Sequence, residues 1–183
     1  MAAQAGPSPQ TVGGTLRAIP PNLADVASYW LIAAAIYLTY GTLFYFAGKE
    51  KLIDDSGTMP AALAKSFQGT FISSFPGTNV SWAILGVLEA AIFLLLAVSV
   101  LTGEFLPSRR KPLLLSGLGL SAFTFSVLAF GQNLTAQNSG VSELFQYLAG
   151  TAVLIVLVLL MPPYRERHWL SGLLAPGERN TAR

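Results

Sequence analysis

The stretch WAILGVLEAAIFLLLAVSVL, Trp82 to Leu101, is apolar enough to cross a membrane, yet it carries Glu89. A carboxyl group in such surroundings can hold or release a proton, accept hydrogen bonds, or pair with a cation. Insertion scales put an ionisable side chain in mid-helix at a cost of roughly 2.5–3.5 kcal/mol, so Glu89 is expected to face other helices rather than lipid. Counting seven residues inward from Trp82, at about 1.5 Å per residue, sets Glu89 roughly 10 Å deep. The same count reaches Tyr40 back from Ala47, Thr124 back from Gly131, and Thr151 forward from Leu144. Each apolar run thus brings a hydrogen-bonding side chain to one level. The expectation is a polar, ligand-binding layer of Glu89, Tyr40, Thr124 and Thr151, with Lys49 reaching inward as counter-charge. The same residues could instead serve as packing glue, with a protonated or lysine-paired Glu89 that only fixes helix register.

The elements that would hold this layer are clear from composition. Of 183 residues, 52% are hydrophobic and only 11% charged, against about 25% charged in a soluble domain. A hydrocarbon core of about 30 Å needs about 20 apolar residues per helix. Four runs meet or approach that length: residues 28–47, 82–101, 113–130 and 144–161. The fold class read from this is an all-α membrane protein, a four-transmembrane-helix bundle within residues 22–163. No alternating ten-residue segments speak for a β-barrel. Gly117 and Ser121 in the third run form a small-xxx-small pair suited to close helix packing.

Flanking segments complete the layout. Residues 1–21 are expected to be disordered, and the first 27 residues, Gly/Pro-rich and without an apolar core, do not read as a cleavable signal peptide. Asn22 is the expected cap of the first helix. Between the first two spans, Leu63, Phe67, Phe71 and Phe75 recur every four residues, which predicts one amphipathic helix from Met59 to Phe75 on the outer surface. The basic tail, 164–183, opens with YRERHWLSGLL, the composition of an interfacial helix. With four spans, Arg17, Arg109, Arg110, Lys111, Arg165, Arg167, Arg179 and Arg183 share one side, against Lys49, Lys51 and Lys65 on the other. The positive-inside rule then places both termini in the cytoplasm, in a plasma membrane of bacterial type.

Several chemistries are excluded. There is no cysteine, hence no disulfide, iron–sulfur cluster or cysteine-ligated zinc; the single histidine, His168, lies beyond the last run and rules out a bis-histidine haem. No metal site and no catalytic set is read, and the chain is expected to have no enzymatic activity on its own. A net charge of +2 gives no reason to expect nucleic-acid binding. The expected partners are the lipid bilayer and other membrane subunits.

The first run ends in FYFAGKEKL and the second opens with ILGVLE. This pairing, Gly48 with Lys49 and Lys51, then Gly86 with Glu89, resembles the DoxX and MauE-like group of small four-span membrane proteins over about residues 28–162. The group commonly has an arginine near the start of the first span, where this chain has Ser28 and Tyr29. The resemblance implies an accessory or anchor subunit of a larger redox-type membrane complex. The alternative is a protein that binds a quinone or another small lipophile, with a proton-handling Glu89 in an outward-facing polar pocket. A quinone is the one cofactor this alternative would bring.

Overall fold

A computed structural model describes residues 23–136 and 138–161. The expectations for residues 1–21, Asn22 and the basic tail lie outside these residues. Helix α1 runs Leu23–Lys49 and passes directly into a π-helical turn, Glu50–Asp54. Two short helices follow, α2 (Ala61–Ser66) and α3 (Phe71–Ser74). Then come α4 (Thr78–Leu101), α5 (Pro112–Leu134) and α6 (Asn138–Leu160). Four of these helices are long and apolar enough to cross a membrane. The fold is an all-α four-helix bundle.

Hydrophobic counting located the membrane-crossing portions but not the helix ends. α4 begins at Thr78, before Trp82, and α6 begins at Asn138, before Leu144. A helix needs apolar side chains only where it meets hydrocarbon, so its polar first turns escape a hydropathy count.

α4 packs on α1 and on α5, and α5 packs on α6. The core joins Ile36, Tyr40 and Phe44 of α1 to Ile92 and Leu96 of α4, Leu118 and Phe125 of α5, and Val158 of α6. On α1 the buried positions are Ala33, Ile36, Tyr40, Phe44 and Gly48. On α4 they are Leu85, Gly86, Glu89, Ile92, Leu96 and Ser99. Both sets follow the three- and four-residue spacing of a single helix face.

Two glycines bring α1 and α4 together. A Cβ on Gly48 would lie 3.0 Å from the backbone nitrogen of Ala90, and one on Gly86 would lie 2.9 Å from the Cβ of Lys51. Small residues at such crossings let backbones approach closely where lipid offers no hydrophobic drive. Gly117 does the same on a smaller scale, since its Cβ would come within 3.3 Å of Leu96.

The expected single amphipathic helix over Met59–Phe75 is instead two short helices. Gly69, at φ +83°, breaks the chain between them. Phe71 and Phe75 are 58% and 81% exposed, while Leu63 and Phe67 are half-buried, so only the first half of the four-residue stripe is partly covered.

α4 ends in a Schellman turn. Gly103 N–H bonds to Val100 O at 3.0 Å and Glu104 N–H bonds to Ser99 O at 3.0 Å, with Gly103 at φ +73°. The left-handed residue that this motif requires is supplied by glycine. It turns Glu104 back into the bundle, where the side chain is 5% exposed.

Gly48→Ala is expected to lower stability by about 1–3 kcal/mol, because its methyl group meets backbone rather than a mobile side chain. Gly41, with nothing within 4 Å of an added Cβ, is the control. Thermal unfolding in detergent should show Gly41→Ala neutral or slightly stabilised. Equal effects at the two positions would remove the close-approach account.

Candidate functional site

The buried stripe of α1 runs Ile36, Tyr40, Phe44, Gly48, and its next position falls on Lys51 in the π turn. Lys51 is 7% exposed and Glu89 3%. Lys51 Nζ lies 2.8 Å from Glu89 Oε2, an ion pair closed inside the bundle. The contact is close but off-line, so Oε2 has a cation beside it and no well-directed hydrogen bond among the described residues. Lys51 Nζ also sits 4.7 Å from the centre of the Trp82 ring, within cation–π range. The Trp82 indole N–H in turn donates to Asp55 Oδ2 at 3.2 Å.

This corrects the expected counter-charge. Lys49 turns outward and pairs with Asp54, its Nζ 2.8 Å from both carboxylate oxygens, at the exposed surface. Lys49 and Lys51 differ by about 200° around a helix, so only one of them can continue the buried face.

The expected layer is brought together only in part. Tyr40 and Thr151 meet at 2.7 Å. Thr151 Oγ1 already gives its proton to Tyr147 O, also at 2.7 Å, so the Tyr40 hydroxyl is the donor in the pair. Thr124 is fully buried, but its hydroxyl donates to Leu120 O within its own helix. Neither Thr124 nor the Tyr40–Thr151 pair hydrogen-bonds to Glu89 among the described residues. All four are buried, yet a shared depth does not by itself bring side chains on different helices into contact.

Beside the ion pair is a partly open cavity of about 140 Å³. Met59, Leu63 and Phe67 from the α2 segment line it, with Trp82 from α4 and Leu128 and Gln132 from α5. Its lining is mostly apolar. Gln132 is the largest polar group there; its buried Oε1 packs against Gly140 and has no hydrogen-bond partner among the described residues. The outward pocket expected from the sequence is polar and centred on Glu89; this cavity is mostly apolar and is lined by none of Glu89, Tyr40, Thr124 and Thr151, and the Leu63–Phe67 spacing behind its α2 wall predicts only a surface helix.

A second polar cluster lies at the opposite end of the bundle and was not read from the sequence. Glu104 Oε1 accepts the Leu113 N–H at 3.1 Å, and Oε2 accepts the Leu114 N–H at 2.9 Å and the Ser99 hydroxyl at 2.8 Å. Since the carboxylate only accepts, Ser99 is a donor there, and Tyr37 donates to Ser99 at 2.7 Å. One carboxylate thereby caps the start of α5 and ties it to α1 and α4. Lys111, 1% exposed, donates to Leu106 O and Arg109 O. Burial pushes its pKa down, and the nearby Glu104 carboxylate opposes that shift.

Among the described residues no group of three or more His, Asp or Glu side chains could hold a metal ion. Compared with known proteins, the chain matches no family model, no curated protein and no solved structure.

Removing one partner of a buried ion pair strands the other charge and costs about 3–5 kcal/mol, whereas replacing both by apolar groups is close to neutral. Lys51→Met and Glu89→Leu should each unfold at markedly lower temperature in detergent. The double variant should regain most of the loss. A double variant that merely sums the two losses would show that the groups do not act as a pair.

Proposed function

We propose that this chain is a multi-pass membrane protein that binds a small ring-bearing lipophile, such as the head of a quinone, in the cavity beside the Lys51–Glu89 pair. The observation that carries the reading is Trp82, which lines the cavity and also lies against the Lys51 ammonium. A cavity of about 140 Å³ matches the roughly 150 Å³ apolar cavity that accepts one benzene ring. Apolar walls with a few polar groups are the usual make-up of a small-molecule site. Here the Gln132 amide N–H can donate to a carbonyl, and the ion pair one side chain away is a group through which a proton could be held or passed. Tyr40, Thr124 and Thr151 then belong to the packing beneath the site rather than to its wall.

The resemblance to the DoxX and MauE-like group is part of this proposal. Of the five residues that carry it, Lys51 pairs with Glu89, Gly86 leaves room for Lys51 and Gly48 lies against Ala90 on the same helix crossing, while Lys49 turns outward to Asp54. The distribution of basic residues supports a location in a bacterial plasma membrane with both termini cytoplasmic, which would make the cavity open outward.

One observation favours a second role, as a subunit of a larger membrane complex. Only 17% of the apolar window of α6 is buried, against 28–33% for the other three spans. Val153, Val156 and Leu160 leave a broad apolar face on it. A photo-crosslinker at Val153 in native membranes should then trap a protein; adducts with lipid alone would count against this role.

The cavity reading is tested with duroquinone and a chain in which Trp30→Phe and Trp169→Phe leave Trp82 as the emitter. Saturable quenching of Trp82 is expected. Gly131 lines the cavity beside Phe67, and Gly131→Leu fills it, weakening binding by roughly tenfold on the usual cost of overpacking. Quenching that rises linearly without saturation, and is indifferent to Gly131→Leu, would reduce the effect to partition into lipid.

A further inference from the structure

The loop from Thr102 to Lys111 joins α4 to α5 at the end of the bundle away from the cavity. It carries four charged side chains: Glu104, Arg109, Arg110 and Lys111. Two are turned inward. Glu104 is committed to the start of α5 and to Ser99, and Lys111 is buried over the Tyr29 ring, 5.6 Å from its centre. What the loop presents outward is therefore Arg109 and Arg110, both exposed. Neither has a carboxylate partner among the described residues.

The loop holding them is tied down along its length. The Tyr29 hydroxyl donates to Phe105 O at 2.7 Å, Lys111 donates to Leu106 O and Arg109 O, and Arg109 N–H bonds back to Leu106 O at 3.1 Å. Its surroundings mark a depth. Trp30 packs against Phe105, with ring centres 6.0 Å apart, and is 40% exposed; Leu101 is 84% exposed and Leu106 36%. Tryptophan and exposed leucines beside paired arginines are the make-up of the boundary between hydrocarbon and headgroups.

We infer that Arg109 and Arg110 form a headgroup site for an anionic phospholipid of the surrounding bilayer. Guanidinium groups present planar, bidentate donors that match a phosphate diester, and they hold their charge at every accessible pH. The exposed Leu101 and Leu106 offer the acyl chains an apolar surface next to the phosphate. Fixing the loop backbone through Glu104 and Lys111 reduces the ordering that binding would otherwise require. The occupant is a lipid rather than a soluble phosphate because the pair lies at the apolar boundary and has Trp30 beside it. This inference stands apart from the cavity and does not depend on it.

The test uses the full chain reconstituted in phosphatidylcholine, with trace spin-labelled phosphatidylglycerol or phosphatidylcholine, and compares the fraction of each label immobilised by the protein. The wild type should prefer the anionic label. Near a membrane surface each basic residue contributes about fivefold in attraction to anionic lipid, so R109Q/R110Q should lose at least about fivefold of the preference while keeping its unfolding temperature. Lys65→Gln, at the other end, should leave the preference unchanged. Glycerol phosphate at matched ionic strength should not displace the lipid. No preference in the wild type, an unchanged preference in R109Q/R110Q, or displacement by glycerol phosphate would each overturn the assignment.

Discussion

The contact between Lys51 and Glu89 is the constraint around which the rest is arranged. Either charge alone would be expensive in an apolar bundle. Together they need the π turn and the first half of α4 to lie almost backbone to backbone. Gly86 provides that space directly under Lys51, and Gly48 provides it one turn earlier against Ala90. The buried face of α1 continues onto Lys51 in the turn at Glu50–Asp54, and Lys49 stays outside. From there Trp82 is fixed between the ammonium and Asp55, and with Trp82 one wall of the cavity is set.

The two ends of the bundle solve the same problem differently. At one end a carboxylate is matched by a cation. At the other, Glu104 is matched by two backbone N–H groups and a hydroxyl, at the terminus of a helix whose dipole favours negative charge. Between them the polar groups that remain are hydroxyls bonded within or between helices, such as Tyr40 with Thr151 and Thr124 with Leu120. Among the described residues no charged side chain joins the core there, which leaves helix association to close packing of Phe44, Ile92, Leu118 and Val158.

The sequence made the bundle legible because hydropathy runs are long and the bilayer fixes their length. It also marked Glu89, since one acid in twenty apolar residues has few explanations. Depth could be counted, and Tyr40 and Thr151 do meet. Azimuth was harder. The stripe Ile36, Tyr40, Phe44, Gly48 points to position 51 by simple continuation, but stopping the first span at Ala47 hid it. Glu104 was invisible for another reason. Its role depends on a glycine-ended turn and on N–H groups of a helix that starts later in the chain, and neither leaves a mark on hydropathy. The cavity arises where two short helices fold over α4 and α5, a packing that the four-residue spacing of Leu63 and Phe67 does not specify.

If Lys51 and Glu89 are the charged hinge of this structure, Glu89 is ionised inside the membrane. Infrared difference spectroscopy of the wild type against Glu89→Gln, both in lipid, reads that state directly. The account predicts that the substitution removes a carboxylate band and no protonated-carboxyl band. Loss of a protonated-carboxyl band instead would contradict it, and with it the ion pair on which the cavity's placement depends.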